Sequence, residues 1–428
     1  MSLSTGNGFT TQDWSTAPFE AIENQPDNHE EIVTGDFSGD GKTDVAHSRS
    51  RWGAWRVTYD TASPPDLLSG ISNGLGGTTT ITYKPSTTFP NTLLPLAVQV
   101  VSSTATDDGN GNTMKTNYSY AGGYYHLGER DYRGFNYVKV NGPAGANGEQ
   151  SITETWFHQG NDTTVDLNNP NVAVGYMKGK PYRVTVSDET GKKLSETTTS
   201  YTSDNTAPFF NPPEQVDNTV CDSTTCGKQT RVVSTYDPIY GNVIREEQYG
   251  DLNDPSDDRT VTRDFAPNPN AWILGLPTNE TIYQGIGSTV KMAATDYYYD
   301  AAYVGGTDCS AHATDRTPVT GNLTRIVRWS ADGASPDSRM GYDEYGNLVC
   351  TRDANGNVST LAYDSSATFP TSATNALGHT TTTEYYGVDG VPADRELVKI
   401  SGTPTTRVGI FSTFSILSTA TRNFNMTN

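Results

Sequence analysis

A repeat constrains this chain more than any other feature of its sequence. A Tyr-Asp pair at Tyr342-Asp343 recurs at Tyr363-Asp364, 21 residues later, and Tyr385-Tyr386 follows after a further 22. Between these marks Asp353-Ala354-Asn355-Gly356-Asn357 aligns with Asn375-Ala376-Leu377-Gly378-His379. A fixed period of this size marks stacked supersecondary units that cannot bury their faces alone. Each unit reads as a Gly-Asn or Asn-Gly turn and then an alternating strand, as in Val358, Thr360 and Ala362 against Ser359, Leu361 and Tyr363. Those dipeptides supply the positive φ angles that tight hairpins need. Looser copies come earlier: Tyr236-Asp237 with Gly241-Asn242, ATDYYYD at residues 294–300, and GNLTRIVRWS at residues 321–330. A further hairpin signal lies at Asp188-Glu189-Thr190-Gly191.

The residue content agrees with a β-repeat array. Glycine (41), proline (23) and tyrosine (24) are plentiful, Leu, Ile and Met are sparse, and no amphipathic helix of normal length is found. The expected fold class is all-β, built from many short strands. A length of 428 residues allows two or three domains. The net charge of -20 argues against nucleic acid and anionic membranes as partners, because phosphate binding needs clustered Lys and Arg. Acidity of this kind serves solubility first and calcium affinity second. No apolar run approaches the ~20 residues of a membrane helix, so membrane insertion is not expected. The opening MSLSTGNGFTTQDW lacks the basic start and apolar centre of a signal peptide. Cys221 and Cys226 bracket a short loop that either closes a small disulfide or holds two thiols, and no Cys-His spacing matches a zinc site.

Residues 1–60 form one block. Its centre, Asp36-Phe37-Ser38-Gly39-Asp40-Gly41-Lys42-Thr43-Asp44, places oxygen side chains at loop positions one, three, five and nine. Calcium takes six to eight oxygens, and a glycine-bearing loop lets carboxylates converge. The expected ligands of a structural Ca2+ are Asp36, Asp40 and Asp44 through carboxylates, Ser38 through its hydroxyl and Lys42 through its carbonyl. His47 stands where an EF-hand carries its bidentate Glu, and flanking helices are absent. The bland alternative is a solvated acidic turn.

Residues 61–160 form a second block. Asn73-Gly74-Leu75-Gly76-Gly77 is not a phosphate loop, since no helix and no Lys-Ser/Thr pair follow, and it reads as a hairpin. Strands are expected at Thr78–Tyr83, Leu96–Ser103, Thr113–Tyr120, Phe135–Val140 and Ile152–Phe157. The aromatic run GGYYHLGERDYRGFNYVKV is either a ligand platform or, by its strand period, core packing, and core packing is favoured. None of the six histidines has a nucleophile-elbow or zinc neighbourhood, and no G-x-S-x-G occurs. Adjacent pairs such as Glu246-Glu247 point to opposite faces of a strand, so no catalytic carboxylate pair and no enzyme activity are expected.

Three resemblances follow from these motifs. GDFSGDGKTDVA resembles the FG-GAP/VCBS repeat of β-propeller blades, which implies a partial propeller blade and a calcium loop. DLLSGISNGLGGTTTITYKPS, LPLAVQVVSSTATDDGNGN and YSYAGGYYHLGERDYRGFNYV, in that order, resemble the middle region of toxin-complex B subunits and plasmid-virulence B proteins. The Tyr-Asp units resemble YD/Rhs repeats, which in that family form a curved antiparallel β-sheet strip around a hollow shell. The organisation so implied is a blade at 1–60, a toxin middle/N-terminal-like region at 61–160, a YD-repeat shell segment at 161–395 and an atypical tail at 396–428. The marks vanish in that tail, which is expected to come from a frameshift or a premature stop. The function implied is a secreted, non-enzymatic shell component that encapsulates a toxic C-terminal polypeptide. The partners implied are a toxin-complex C-type subunit or the chain's own toxic C-terminus, and a pore-forming A-type subunit. A calcium-dependent adhesion or carbohydrate-binding protein is the alternative, with Tyr124, Tyr125 and Tyr132 as its surface patch.

Overall fold

The computed structural model describes residues 2–4, 9–11, 30–49, 55–61, 67–145, 147–160, 177–202, 209–221, 226–300, 309, 316–385 and 399–402. Among these residues there is no α-helix; strands and turns dominate, with short 3-10 turns such as Ser86–Thr88 and Pro255–Asp257. The tail expected to be out of frame lies outside the described residues, apart from Lys399–Gly402. Two compact units divide the chain, one running to Leu194 and the other starting at Ser195.

The first unit begins with a ladder of β1 (Ser2–Ser4) and β2 (Phe9–Thr11). A separate three-stranded antiparallel sheet follows, made of β3 (Glu30–Gly35), β4 (Asp44–Arg49) and β5 (Trp55–Thr58). The acidic loop joins β3 to β4. Among the described residues this block forms a three-stranded sheet, where a complete propeller blade carries four strands, and no propeller occurs among them. The remaining strands of this unit are β6 (Gly70–Ser72), β7 (Thr78–Pro85), β8 (Gln99–Asp107), β9 (Thr113–His126), β10 (Asp131–Asn141), β11 (Ile152–Phe157) and β12 (Pro181–Ser187). They pair in chain order, always antiparallel. The GNGN turn closes the β8–β9 hairpin, with Asp108 Oδ1 accepting from the Asn110 and Asn112 N–H groups at 2.7 and 3.2 Å.

The second unit is a meander of β13 (Lys193–Tyr201), β14 (Pro213–Val220), β15 (Lys228–Tyr236), β16 (Val243–Tyr249), β17 (Arg259–Phe265), β18 (Pro277–Gln284) and β19 (Lys291–Tyr299). It continues through β20 (Leu323–Arg328), β21 (Asp337–Tyr342), β22 (Leu348–Arg352), β23 (Val358–Tyr363), β24 (Pro370–Thr374), β25 (Thr380–Glu384) and β26 (Lys399–Gly402). Every ladder in it joins sequence neighbours in antiparallel register. Thr, Val and Tyr suit such a pleated, half-covered surface. Most strand residues are half-buried, and the fully buried apolar side chains are few, among them Val261, Ala294, Tyr299 and Cys350. With so little core, cross-strand pairs and turn chemistry carry much of the specification.

Candidate functional site

The Tyr-Asp turn is the unit from which the second sheet is built, and each of its marks has a mechanical role. Asp343 Oδ1 accepts from the Tyr345 and Asn347 N–H groups at 2.9 and 2.8 Å, and Oδ2 accepts from Asn347 Nδ2 at 3.0 Å. Gly346 occupies φ +85°, a conformation that costs a side-chain-bearing residue energy. Asp353 repeats the pattern on Asn355 and Asn357 at 2.9 and 2.8 Å. Asn375 repeats its backbone half on Leu377 and His379, both at 3.0 Å.

The tyrosine and the asparagine link one hairpin to the next. At each aromatic the ladder slips by one residue, at Tyr201, Tyr236, Phe265, Tyr299, Tyr342 and Tyr363. Such a bulge bends the strand and re-aims the side chain. In four of these aromatics the hydroxyl reaches back to the first carbonyl of the preceding strand. Tyr236 donates to Pro213 O at 2.6 Å, Tyr299 to Pro277 O at 2.8 Å, Tyr342 to Leu323 O at 3.0 Å and Tyr363 to Leu348 O at 3.2 Å. Burial, with Tyr297 nearby, pushes the Tyr299 phenol up to about 12, so it remains a donor. The asparagine amide reaches forward, Asn242 Nδ2 to Leu274 O at 2.8 Å and Asn347 Nδ2 to Ala367 O at 2.7 Å. Asn268 Nδ2 does the same to Pro318 O at 2.9 Å.

One repeat is split. Asp300 N donates to Asn322 O at 2.8 Å, as Asp343 N does to Asn347 O at 2.9 Å. The Asp300 carboxylate accepts from the N–H groups of Val319, Thr320, Gly321 and Asn322. ATDYYYD and GNLTRIVRWS are thus the two halves of one Tyr-Asp…Gly-Asn turn with an insertion between them. Cys309 within that insertion forms a disulfide with Cys350 of β22, and both are buried. Sequence reasoning did not foresee this pairing. Cys221 and Cys226 are also disulfide-bonded, which resolves the alternative left open for them.

One face of the second sheet carries arginines held by carboxylates. Asp217 and Arg231 lie opposite each other and form a bidentate pair at 2.7 and 2.9 Å. Arg325 and Arg339 also lie opposite each other, and Asp337 Oδ2 accepts from both, at 2.9 and 3.0 Å. Burial opposes the charge of Asp337, but the bonds and charges of Arg339 and Arg325 outweigh it and hold its pKa below the usual range.

In the first unit the aromatic run packs as a hairpin of β9 and β10. Tyr120 lies 5.3 Å from Phe89 and 4.9 Å from Phe135, between ring centroids, so core packing is the reading the structure supports. Arg133, buried, donates to Gln159 O at 3.2 Å, to Gly160 O and to Glu129. Gln159 Nε2 donates to Gly122 O and Gly134 O at 2.7 and 2.8 Å, which closes the knot.

The acidic loop is held by its own hydrogen bonds. Asp36 Oδ1 accepts from the Gly39 and Asp40 N–H groups at 2.7 and 3.0 Å, and Oδ2 from Gly41 at 2.8 Å. The Ser38 hydroxyl turns to Asp36 Oδ1 at 3.4 Å. Asp44 is fully buried, and its two oxygens accept from Phe37, Ser38 and Asp60 at 2.9, 2.8 and 2.9 Å. Asp40 pairs with Lys42 Nζ at 2.9 Å. No group of three or more His, Cys, Asp or Glu side chains able to hold a metal ion forms among the described residues. In this arrangement the carboxylates of Asp36 and Asp44 are engaged by backbone N–H groups and that of Asp40 by Lys42, and no role is derived through a metal ion.

The hairpins of the first unit and the knot at Arg133 fall within a stretch that known proteins share. Residues 3–164 match the family model of the insecticide toxin TcdB middle/N-terminal region. The toxin-complex B resemblance is thereby shown for this stretch. No curated protein matches the chain. Among solved structures, a Photorhabdus luminescens Tc holotoxin pore carrying a TccC3 mutation is similar with a TM-score of 0.61 and 14% identity, over 89% of this chain and 26% of that one. A crystal structure of TcdB2-TccC3 gives a TM-score of 0.58 at 14% identity, over 83% of this chain and 26% of that one. TcdB2-TccC3 without the hypervariable C-terminal region gives 0.56 at 14% identity, over 83% and 25%. At this identity the likeness shows the fold. The chain spans about a quarter of the length of the chains it matches.

Proposed function

We propose that the chain is a structural, non-catalytic segment of a toxin-complex B-type shell that encloses a toxic polypeptide. One observation carries this: the TcdB-like region at residues 3–164 is followed by a meander of latched Tyr-Asp hairpins, and 89% of the chain shares the fold of a Tc holotoxin component. A sheet whose strand residues are mostly half-buried, with few fully buried apolar side chains, suits a wall between two aqueous spaces. On this reading the toxic polypeptide comes from a C-type partner or from a continuation of the same protein, and an A-type pore receives it after secretion. This chain itself takes no nucleic-acid or membrane-inserting role on that reading, in keeping with the net charge of -20.

The test is co-expression with a toxin-complex C-type subunit followed by affinity purification. Stoichiometric recovery of the partner, with its toxic segment resistant to added protease, is expected. Recovery of this chain alone, or a toxic segment digested as fast as when free, would remove the reading.

A further inference from the structure

The loop between β3 and β4 has calcium-loop spacing, but its oxygens are engaged by the protein's own donors. We propose that residues 36–44 form a metal-independent hook that fastens the three-stranded sheet to the β7–β8 segment of the first unit, with the Lys42 ammonium as the loop's own cation. The carboxylates shape the hook. Asp36 gathers the N–H groups of Gly39, Asp40 and Gly41, and Asp44 gathers those of Phe37, Ser38 and Asp60. A carboxylate that accepts several backbone N–H groups already has its charge compensated. The remaining acid, Asp40, accepts from the backbone N–H of Lys42 at 3.0 Å and pairs with the same residue's ammonium at 2.9 Å. That ammonium also donates to Asp60 O at 2.5 Å, and the Lys42 side chain is only 14% exposed. A cation is therefore present, and it is covalently part of the chain.

The loop's carbonyls face outward and are received by a built site. Gly39 O accepts from the Thr87 hydroxyl, and Asp40 O accepts from the Gln99 amide. Gly41 sits at φ +82°, and a Cβ there would lie 3.1 Å from Gln99 Nε2 and 3.4 Å from Ala97 O, so the approach requires glycine. Thr87 is held in place in turn. Its neighbour Ser86 is 1% exposed, donates its N–H to Val98 O at 2.7 Å and accepts from the Val98 N–H through Oγ at 3.0 Å. Asn91 Nδ2 braces the Ser86 carbonyl at 2.7 Å. Carbonyls committed to Thr87 and Gln99 are unavailable to an ion at the same lone pairs, and the receiving residues lie far along the chain from the loop.

Hydrogen exchange of the Gly39, Asp40 and Gly41 amides in the full chain tests this. Protection is expected to be the same in millimolar calcium and in chelator. Thr87→Val and Gln99→Ala are each expected to lower it about fivefold, the loss of one net hydrogen bond. Lys42→Met, which keeps the stem and removes the ammonium, is expected to lower it by a similar factor. Calorimetric titration with calcium alone is expected to show no stoichiometric site. A calcium-induced rise in protection that Asp36→Asn abolishes would overturn the proposal. So would wild-type protection in both Thr87→Val and Gln99→Ala. Wild-type protection in Lys42→Met alone would remove the lysine's part in it.

Discussion

The Arg325–Asp337–Arg339 bridge gives a prediction whose size follows from geometry. Arg325 of β20 and Arg339 of β21 face each other directly, and the Asp337 carboxylate separates their charges through contacts of 2.9 and 3.0 Å. Asp337→Asn keeps the shape and removes the anion. Halving the strength of two charge-assisted bonds costs about 2 kcal/mol. Two guanidiniums about 6 Å apart then repel by roughly 0.7 kcal/mol if fully hydrated and roughly 3 kcal/mol at an intermediate dielectric. The three side chains are 17–25% exposed, so screening holds the total to about 2–3 kcal/mol. Urea unfolding, followed on the transition of the second unit, should show a lower midpoint at unchanged slope. Because part of the loss is like-charge repulsion, raising ionic strength should shrink it. Adding Arg339→Met to Asp337→Asn should recover about 1 kcal/mol by removing one of the facing charges. A loss below about 0.5 kcal/mol would show that the bridge is an ordinary surface pair. A loss independent of salt would refute the repulsion argument.

Four further outcomes are expected. Tyr342→Phe keeps the ring and removes the donor to Leu323 O, and should cost about 1 kcal/mol in the same urea assay. Gly241→Ala should cost about 2 kcal/mol or more, because the residue sits at φ +74° and its Cβ would lie 2.6 Å from the Phe210 ring. Replacing Cys309 and Cys350 together by Ala should cost up to about 4 kcal/mol, since the bond closes a 41-residue separation, with a lowered thermal midpoint as the readout. Acid should loosen the turns. The Phe369 N–H and the Ser366 hydroxyl, foremost among its donors, lower Asp364 to about 2. Asp343, partly desolvated, is lowered by Asn347. A folded pKa below the unfolded value of about 4 gives stability that is full above pH ~4 and lost as pH falls through the folded values. Hydrogen exchange at the turn amides between pH 4 and 2, corrected for intrinsic rates, checks that window.

Legibility in the sequence followed the range of the interactions. The turns were readable because Asp343, Gly346 and Asn347 act on one another within a few residues. The all-β class was readable because Thr, Tyr and Gly dictate local conformation. The latch was not readable, since the reach of Tyr342 to Leu323 depends on a bulge that no residue type announces. The split repeat escaped because the partners Asp300 and Asn322 are separated by an insertion, although the intact Tyr-Asp and Gly-Asn marks on its two sides were a usable signal. The Cys309–Cys350 bond depends on where that insertion returns, which local spacing does not encode. The acidic loop shows a different limit. Its sequence specifies how many oxygens are present, but not whether they face an ion or the loop's own N–H groups. The same segment suggested a partial propeller blade, and its described residues form three strands with a docked loop.

The central claim is that residues 195–385 are a stretch of shell wall made of latched hairpins. The most direct measurement is a cryo-EM map of the protein purified together with a C-type subunit. The account predicts the order β13 to β25 as consecutive strands of the wall, with density for an enclosed polypeptide on one face of the sheet. A map in which these residues form a separate closed domain, away from any enclosed chain, would contradict it.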